Sequence, residues 1–134
     1  MLRLPRKRSK KLKWGIAGCG RFAEQTFIPS MKLLRKSELT ALFSSDIKRA
    51  KSLAEKFGVE KYYSNYDEFL NSGIDAVYVA SANVNHYHQV IKAAQAGKHI
   101  LCEKPLAMNS REAEEMVKEC EKNNVQLAVN YVCL

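Results

Sequence analysis

Five short apolar runs alternate with stretches of helical spacing along this chain, and a sixth run begins near its end. Residues 14–17, 39–43, 61–63, 75–80 and 99–102 read as strands, and residues 126–129 open a sixth. Between them lie a helix from Ala23 to about Leu34, disturbed by Pro29, and another over 47–57. A short helix is opened by Asn65 and ends near Gly73, a fourth spans 85–96 before Gly97, and a fifth follows Asn109. The spacing carries the assignment. Ala50, Leu53, Ala54 and Phe57 fall at i, i+3, i+4 and i+7, and Ala113, Met116, Val117 and Cys120 mark one face of the fifth helix. Asn65 and Asn109 each stand three residues before a glutamate, as a helix opening requires. Strict strand–helix alternation with short connections gives a parallel sheet with helices on both faces. The fold expected is therefore α/β, a doubly wound parallel sheet.

Charge divides the chain unevenly. The net charge is +8, yet residues 1–13 hold Arg3, Arg6, Lys7, Arg8, Lys10, Lys11 and Lys13 without an acid. Without those seven, 15 basic residues face 14 acidic ones, so the remainder is nearly neutral. Residues 1–12 are expected to form a solvated, disordered extension and residues 13–134 the folded domain. No aromatic residue interleaves with the basic ones, so nucleic acid is not an expected partner. The stretch before Cys19 is too short to be the apolar part of a secretion signal, and no run is long enough to span a membrane. Cys19, Cys102, Cys120 and Cys133 form no C-x-x-C pair and have no histidine at zinc-ligand spacing, which excludes the usual metal patterns. Unpaired cysteines in apolar patterns suit a reducing cytoplasm.

The first strand leads into Gly18-Cys19-Gly20-Arg21-Phe22-Ala23, which fits G-x-G-x-x-A. The first glycine allows the tight turn, the second admits a pyrophosphate close to backbone, and the small third residue lets the helix pack on the strand. The phosphates would then meet unpartnered N–H groups at a helix N-terminus. After the second strand, the position where a NAD enzyme presents an acid holds Ser44, followed by Ser45, Asp46, Lys48 and Arg49. Serines and a guanidinium accommodate a 2′-phosphate that a carboxylate would repel. NADP is therefore the expected cofactor, with NAD the alternative. Asp46 would be the ribose ligand under NAD, or simply the cap of the next helix. Glycines after a first strand also occur in methyltransferases, which leaves S-adenosylmethionine open on the loop alone.

Further blocks narrow the choice. They are Arg49-Ala50-Lys51 leading to Ala54-Glu55-Lys56-Phe57-Gly58, then Asn83-Val84-Asn85-His86, then Ala96-Gly97-Lys98-His99-Ile100-Leu101-Cys102-Glu103-Lys104-Pro105-Leu106-Ala107. With the glycine turn, these resemble the N-terminal half of the Gfo/Idh/MocA oxidoreductases, from about Lys13 to Tyr131. The resemblance implies a Rossmann fold and hydride transfer between NAD(P) and a hydroxyl or carbonyl carbon of a sugar- or cyclitol-like compound. It implies that Lys104 contacts the nicotinamide ribose and the reacting oxygen as a catalytic residue, and that Glu103 steadies the loop and ribose. It places His86 beside the nicotinamide half of the site as a second catalytic group, with Ser81 and Asn83 in the same cofactor-binding loop. It also implies a Lys104–Pro105 bond that is often cis.

The chain departs from the family at Ala82, where a proline is usual, and in Val129-Asn130-Tyr131-Val132-Cys133-Leu134, where the family reads V-G-Y-N-R-R-F. Family members continue into a second, mostly antiparallel domain that carries other catalytic groups, much of the substrate pocket and the oligomer interface. That domain is not expected in this chain, so the isolated chain is expected to bind a dinucleotide without turning over sugars. Oligomers are expected only through the second domain. The alternative from another class is a non-catalytic dinucleotide-binding or interaction module.

Overall fold

A computed structural model describes residues 10–130. Its strands are β1 (Leu12–Ala17), β2 (Ser37–Phe43), β3 (Lys61–Tyr63), β4 (Ala76–Val79), β5 (His99–Glu103) and β6 (Leu127–Asn130). The helices are α1 (Ile28–Met31), α2 (Ile47–Phe57), α3 (Tyr66–Leu70), α4 (His86–Gln95) and α5 (Ser110–Lys122). The strands form one six-stranded sheet in the order β3-β2-β1-β4-β5-β6. Every pair is parallel. The order reverses between β1 and β4, the point at which such sheets open a crevice beyond their carboxyl ends.

Alternating side chains sort themselves onto two faces, as a pleated strand requires. Ile16, Leu42 and Tyr78 point to the side where Ile28 of α1 and Ala50, Leu53 and Ala54 of α2 pack. Their strand neighbours Ala17, Ala41, Phe43, Val77 and Val79 point to the other side, toward Phe69, Val90, Ala93, Met116 and Cys120 of α3, α4 and α5. Two cores on one sheet make the doubly wound architecture. Gly15 lies inside β1 because the Phe69 ring occupies the space a side chain would need. A Cβ there would sit 2.5 Å from Phe69 Cζ.

The helix boundaries follow local chemistry. Asp46, Asn65 and Asn109 cap α2, α3 and α5 by accepting from the N–H groups of Lys48, Glu68 and Glu112. Gly58 ends α2 in the left-handed region, at φ +68°. The single helix expected over 23–34 is instead a π-helical turn, Ala23–Phe27, followed by α1, and it stops at Met31. Pro29 has no N–H to return to the preceding turn, which disfavours a regular α-helix across it. Val117, expected on the buried face of α5, is 42% exposed. β1 already includes Leu12, paired with Ser37, a residue expected in the extension. The rest of the basic extension, up to residue 9, lies outside the described residues, as do Tyr131 and Cys133. Among the described residues, no helix is long and apolar enough to cross a membrane.

Candidate functional site

β1 delivers the glycine turn to the point where strand order reverses. Gly18 takes φ +115°, and a Cβ on it would lie 2.6 Å from the Ser81 nitrogen and 2.7 Å from the Ala80 carbonyl carbon. Glycine is therefore required there by the close approach of the loop after β4. The Gly18 N–H donates to the Phe43 carbonyl at 2.9 Å, which draws in the end of β2 as well. At Gly20 no protein atom lies within 4 Å of an added Cβ. A helical run begins at Arg21, where Arg21 and Phe22 are exposed and Ala23 is buried against the strand. Cys19 is buried, and burial pushes its thiol up to about 11 against the pull of Arg49, so it is a packing residue rather than a nucleophile.

These loops enclose a cleft of about 460 Å³, lined by Gly18–Gly20, Phe43–Ser45 and Ala80–Ala82 together with Asn85 and Gln89. No carboxylate is among the residues lining it. Ser44 Oγ accepts from the Asp46 N–H at 3.1 Å, while the Asp46 carboxylate is spent on capping α2. Thus Ser44 and Ser45 face the cleft and Asp46 serves the helix.

Arg49, expected beside a 2′-phosphate, is not among the residues lining the cleft but bonds to one of them. Its Nε donates to the Cys19 carbonyl at 2.8 Å, and its Nη2 donates to Glu24 Oε2. Lys56 Nζ donates to the other oxygen of Glu24 at 3.0 Å. The guanidinium thus braces the glycine turn through the Cys19 carbonyl and ties it to Glu24. Glu24 escaped the sequence reading, although its place one turn beyond the glycines was visible.

His86, implied to be a second catalytic group, is wholly buried between two loops. Nδ1 lies 2.8 Å from the Pro105 carbonyl oxygen and Nε2 lies 3.0 Å from that of Ser81. One imidazole thus links the loop after β4 to the loop that carries Lys104, and it is a positioning residue. One turn later Gln89, also buried, accepts from Ser81 Oγ. Asn83 begins an exposed 3-10 turn, Asn83–Asn85, before α4 and does not line the cleft. His99 has a structural contact, its Nδ1 accepting from the Gln126 N–H at 3.1 Å.

Glu103 ends β5 and is held on one oxygen by two donors, the Tyr78 hydroxyl at 2.5 Å and Asn130 Nδ2 at 3.1 Å. Burial first, and the bond to Glu103 second, keep Tyr78 protonated well beyond the ordinary phenol range. Lys104 follows on the same carboxyl edge of the sheet as the cleft, exposed and ahead of a cis bond to Pro105. Tyr78, Gln89 and Asn130 gave no signal in the sequence, since a tyrosine, glutamine or asparagine in an apolar pattern carries no spacing of its own. Among the described residues, no cluster of three or more His, Cys, Asp or Glu is placed to hold a metal ion.

The family model described as an oxidoreductase family with an NAD-binding Rossmann fold, GFO_IDH_MocA, matches residues 12–131. The chain belongs to the Gfo/Idh/MocA oxidoreductases. Within that family, 1,5-anhydro-D-fructose reductase of Ensifer adhaerens is 33% identical over 120 residues, 89% of this chain and 36% of that protein. The scyllo-inositol 2-dehydrogenase (NADP(+)) IolU of Bacillus subtilis is 38% identical over 102 residues, 75% of this chain and 31% of that protein. Among solved structures, the 3-ketoreductase KijD10 of Actinomadura kijaniata, in complex with TDP-benzene and NADP, superposes with a TM-score of 0.85. It is 32% identical and covers 91% of this chain and 39% of its own. An oxidoreductase of Agrobacterium radiobacter in complex with NAD+, L-tartaric acid and magnesium gives 0.86 at 30% identity, over 90% of this chain and 35% of its own. The chain spans about a third of the length of the curated relatives it matches.

Proposed function

We propose that the cleft at the β1/β4 switch point binds NADP(H), with NAD(H) the weaker ligand, and that Lys104 serves hydride transfer between that cofactor and a sugar- or cyclitol-like hydroxyl or carbonyl. The observation that carries this reading is the meeting of three loop ends, at Gly18–Gly20, Ser44–Ser45 and Ser81, in one cleft without a carboxylate. The residues fit the group. Space is left open at Gly20, where packing itself demands no glycine, and the first N–H groups of the helical run from Arg21 have no partner within that helix. Those donors suit a pyrophosphate, and Ser44 and Ser45 suit the adenosine ribose or its phosphate. When bound, the nicotinamide supplies or accepts the hydride.

The chain's own part is to hold and to polarise. Lys104, exposed and cationic at the carboxyl edge, stabilises negative charge developing on the reacting oxygen. Glu103, the residue before Lys104, is fixed by Tyr78 and Asn130, and His86 anchors the carbonyl of Pro105, the residue after Lys104. Relatives named for anhydrofructose and scyllo-inositol support a polyhydroxylated substrate. The relatives are about three times as long, so turnover is proposed for the longer arrangement and dinucleotide binding for these residues. A cytoplasmic setting goes with the three buried free thiols.

Titration of NADPH and NADH into wild type and Ser44→Asp tests the reading. Wild type binds NADPH more tightly. The added carboxylate reverses that order by repelling the 2′-phosphate and accepting from the ribose hydroxyls. A wild type that prefers NADH overturns the NADP assignment and returns Asp46 to the ribose.

A further inference from the structure

The guanidinium of Arg49 bonds to the cleft wall through the Cys19 carbonyl and is also held by Glu24. We propose that Glu24 is a specificity-determining residue, a latch that keeps Arg49 tied to the glycine turn and so limits the preference for a dinucleotide with a 2′-phosphate. The proposal deepens the cofactor reading above and rests on it.

The geometry is a three-way competition. Arg49 Nε is committed to the carbonyl of Cys19, a residue of the cleft wall, at 2.8 Å. Its Nη2 is committed to Glu24, whose second oxygen takes Lys56 at 3.0 Å. Lys56 first, and Arg49 next, hold the Glu24 carboxyl below the ordinary carboxylate range, so it is ionised wherever the protein is folded near neutral pH. The Glu24 N–H donates to the Gly20 carbonyl and the Arg49 N–H to the Asp46 carbonyl, both at 3.1 Å, so each residue sits one turn into the helix that follows a loop lining the cleft, at Gly20 and at Ser44–Ser45. A 2′-phosphate arriving at the serines meets a cation already neutralised and a carboxylate of its own sign close by. A 2′-hydroxyl is indifferent to both. Removing the charge of Glu24, while leaving its length, therefore releases Arg49 toward the phosphate and favours NADPH alone.

The pair is partly exposed, with side-chain exposures of 39% for Arg49 and 22% for Glu24, so the effect is that of a screened interaction. Calorimetric titrations of both dinucleotides into wild type, Glu24→Gln, Arg49→Ala and the double variant test the latch. Glutamine keeps the shape of a partly exposed helical side chain, and a thermal melt verifies that each variant folds. The expected result is a rise of about three- to tenfold in the NADPH-to-NADH affinity ratio in Glu24→Gln. That rise shrinks at high salt and vanishes in the Arg49→Ala background. An unchanged ratio, or equal weakening of both dinucleotides, overturns the latch and leaves Glu24 a structural brace. A gain that persists without Arg49 also overturns it. Wild type that binds neither dinucleotide contradicts the cofactor reading itself, and the latch with it.

Discussion

The Tyr78 hydroxyl donates to Oε2 of Glu103, so the centre of the sheet is tied directly to the residue that precedes Lys104. Tyr78 is wholly buried and its ring packs on Phe27 with centroids 3.8 Å apart. Tyr78→Phe keeps that packing and removes one hydrogen bond to a charged acceptor, leaving Asn130 as the remaining donor to that oxygen. Urea unfolding should show a loss of about 1.5–3 kcal/mol. A loss below about 0.5 kcal/mol, the range of ordinary surface changes, would mean that Glu103 is held by other means.

Stability should fall on the alkaline side. Burial raises the Cys19 thiol to about 11 and the Cys102 thiol to about 12, and it raises the hydroxyls of Tyr66 and Tyr78 further still. A group whose folded value lies above its unfolded value binds its proton more tightly when folded. Its stabilisation is complete below the unfolded value and is lost as pH rises through the window above it. For the thiols that window opens near their ordinary value of 9.0. Denaturant unfolding between pH 8 and 11 should lose about 1–3 kcal/mol per pH unit over the upper part of that range. Cys19→Ala with Cys102→Ala should flatten the slope, and a wild-type profile that is flat or rising contradicts the assignment.

His86 holds two loops at once, and its removal should be felt in both. His86→Ala leaves the carbonyls of Ser81 and Pro105 without their partner and opens a cavity beside α4. The expected cost is about 2–4 kcal/mol, combining a lost buried polar partner with lost packing. Amide exchange should accelerate in residues 81–85 and 103–107 ahead of the rest of the sheet. Uniform acceleration, or none in the Lys104 loop, would deny His86 its positioning role.

The alternation of strands and helices was readable because apolar period and cap residues are local. Asn65 and Asn109 announce their helices, and Gly58 its end, from a few neighbouring letters. The glycine turn was readable for the same reason. What could not be read are the pairings across the chain: Arg49 with Glu24, His86 with Pro105, and Tyr78 with Glu103. Each joins residues 19 to 25 positions apart, and no spacing rule links them. Resemblance placed His86 near the nicotinamide, yet burial decides whether a side chain touches a ligand or only positions a loop. Gly15 had a reason that lay in Phe69, over fifty positions away, visible only once α3 packs on the sheet.

Gly20→Val tests whether the cleft lined by Gly20 holds a dinucleotide. No protein atom lies within 4 Å of an added Cβ, so the variant should unfold at the temperature of wild type. A branched side chain would nevertheless enter the space reserved for the pyrophosphate. Calorimetric titration of NADPH should show one-site binding to wild type and a loss of at least about a hundredfold in affinity for Gly20→Val, or about 2.7 kcal/mol. A folded Gly20→Val that binds NADPH as tightly as wild type, or a wild type that binds neither NADPH nor NADH, would contradict that reading.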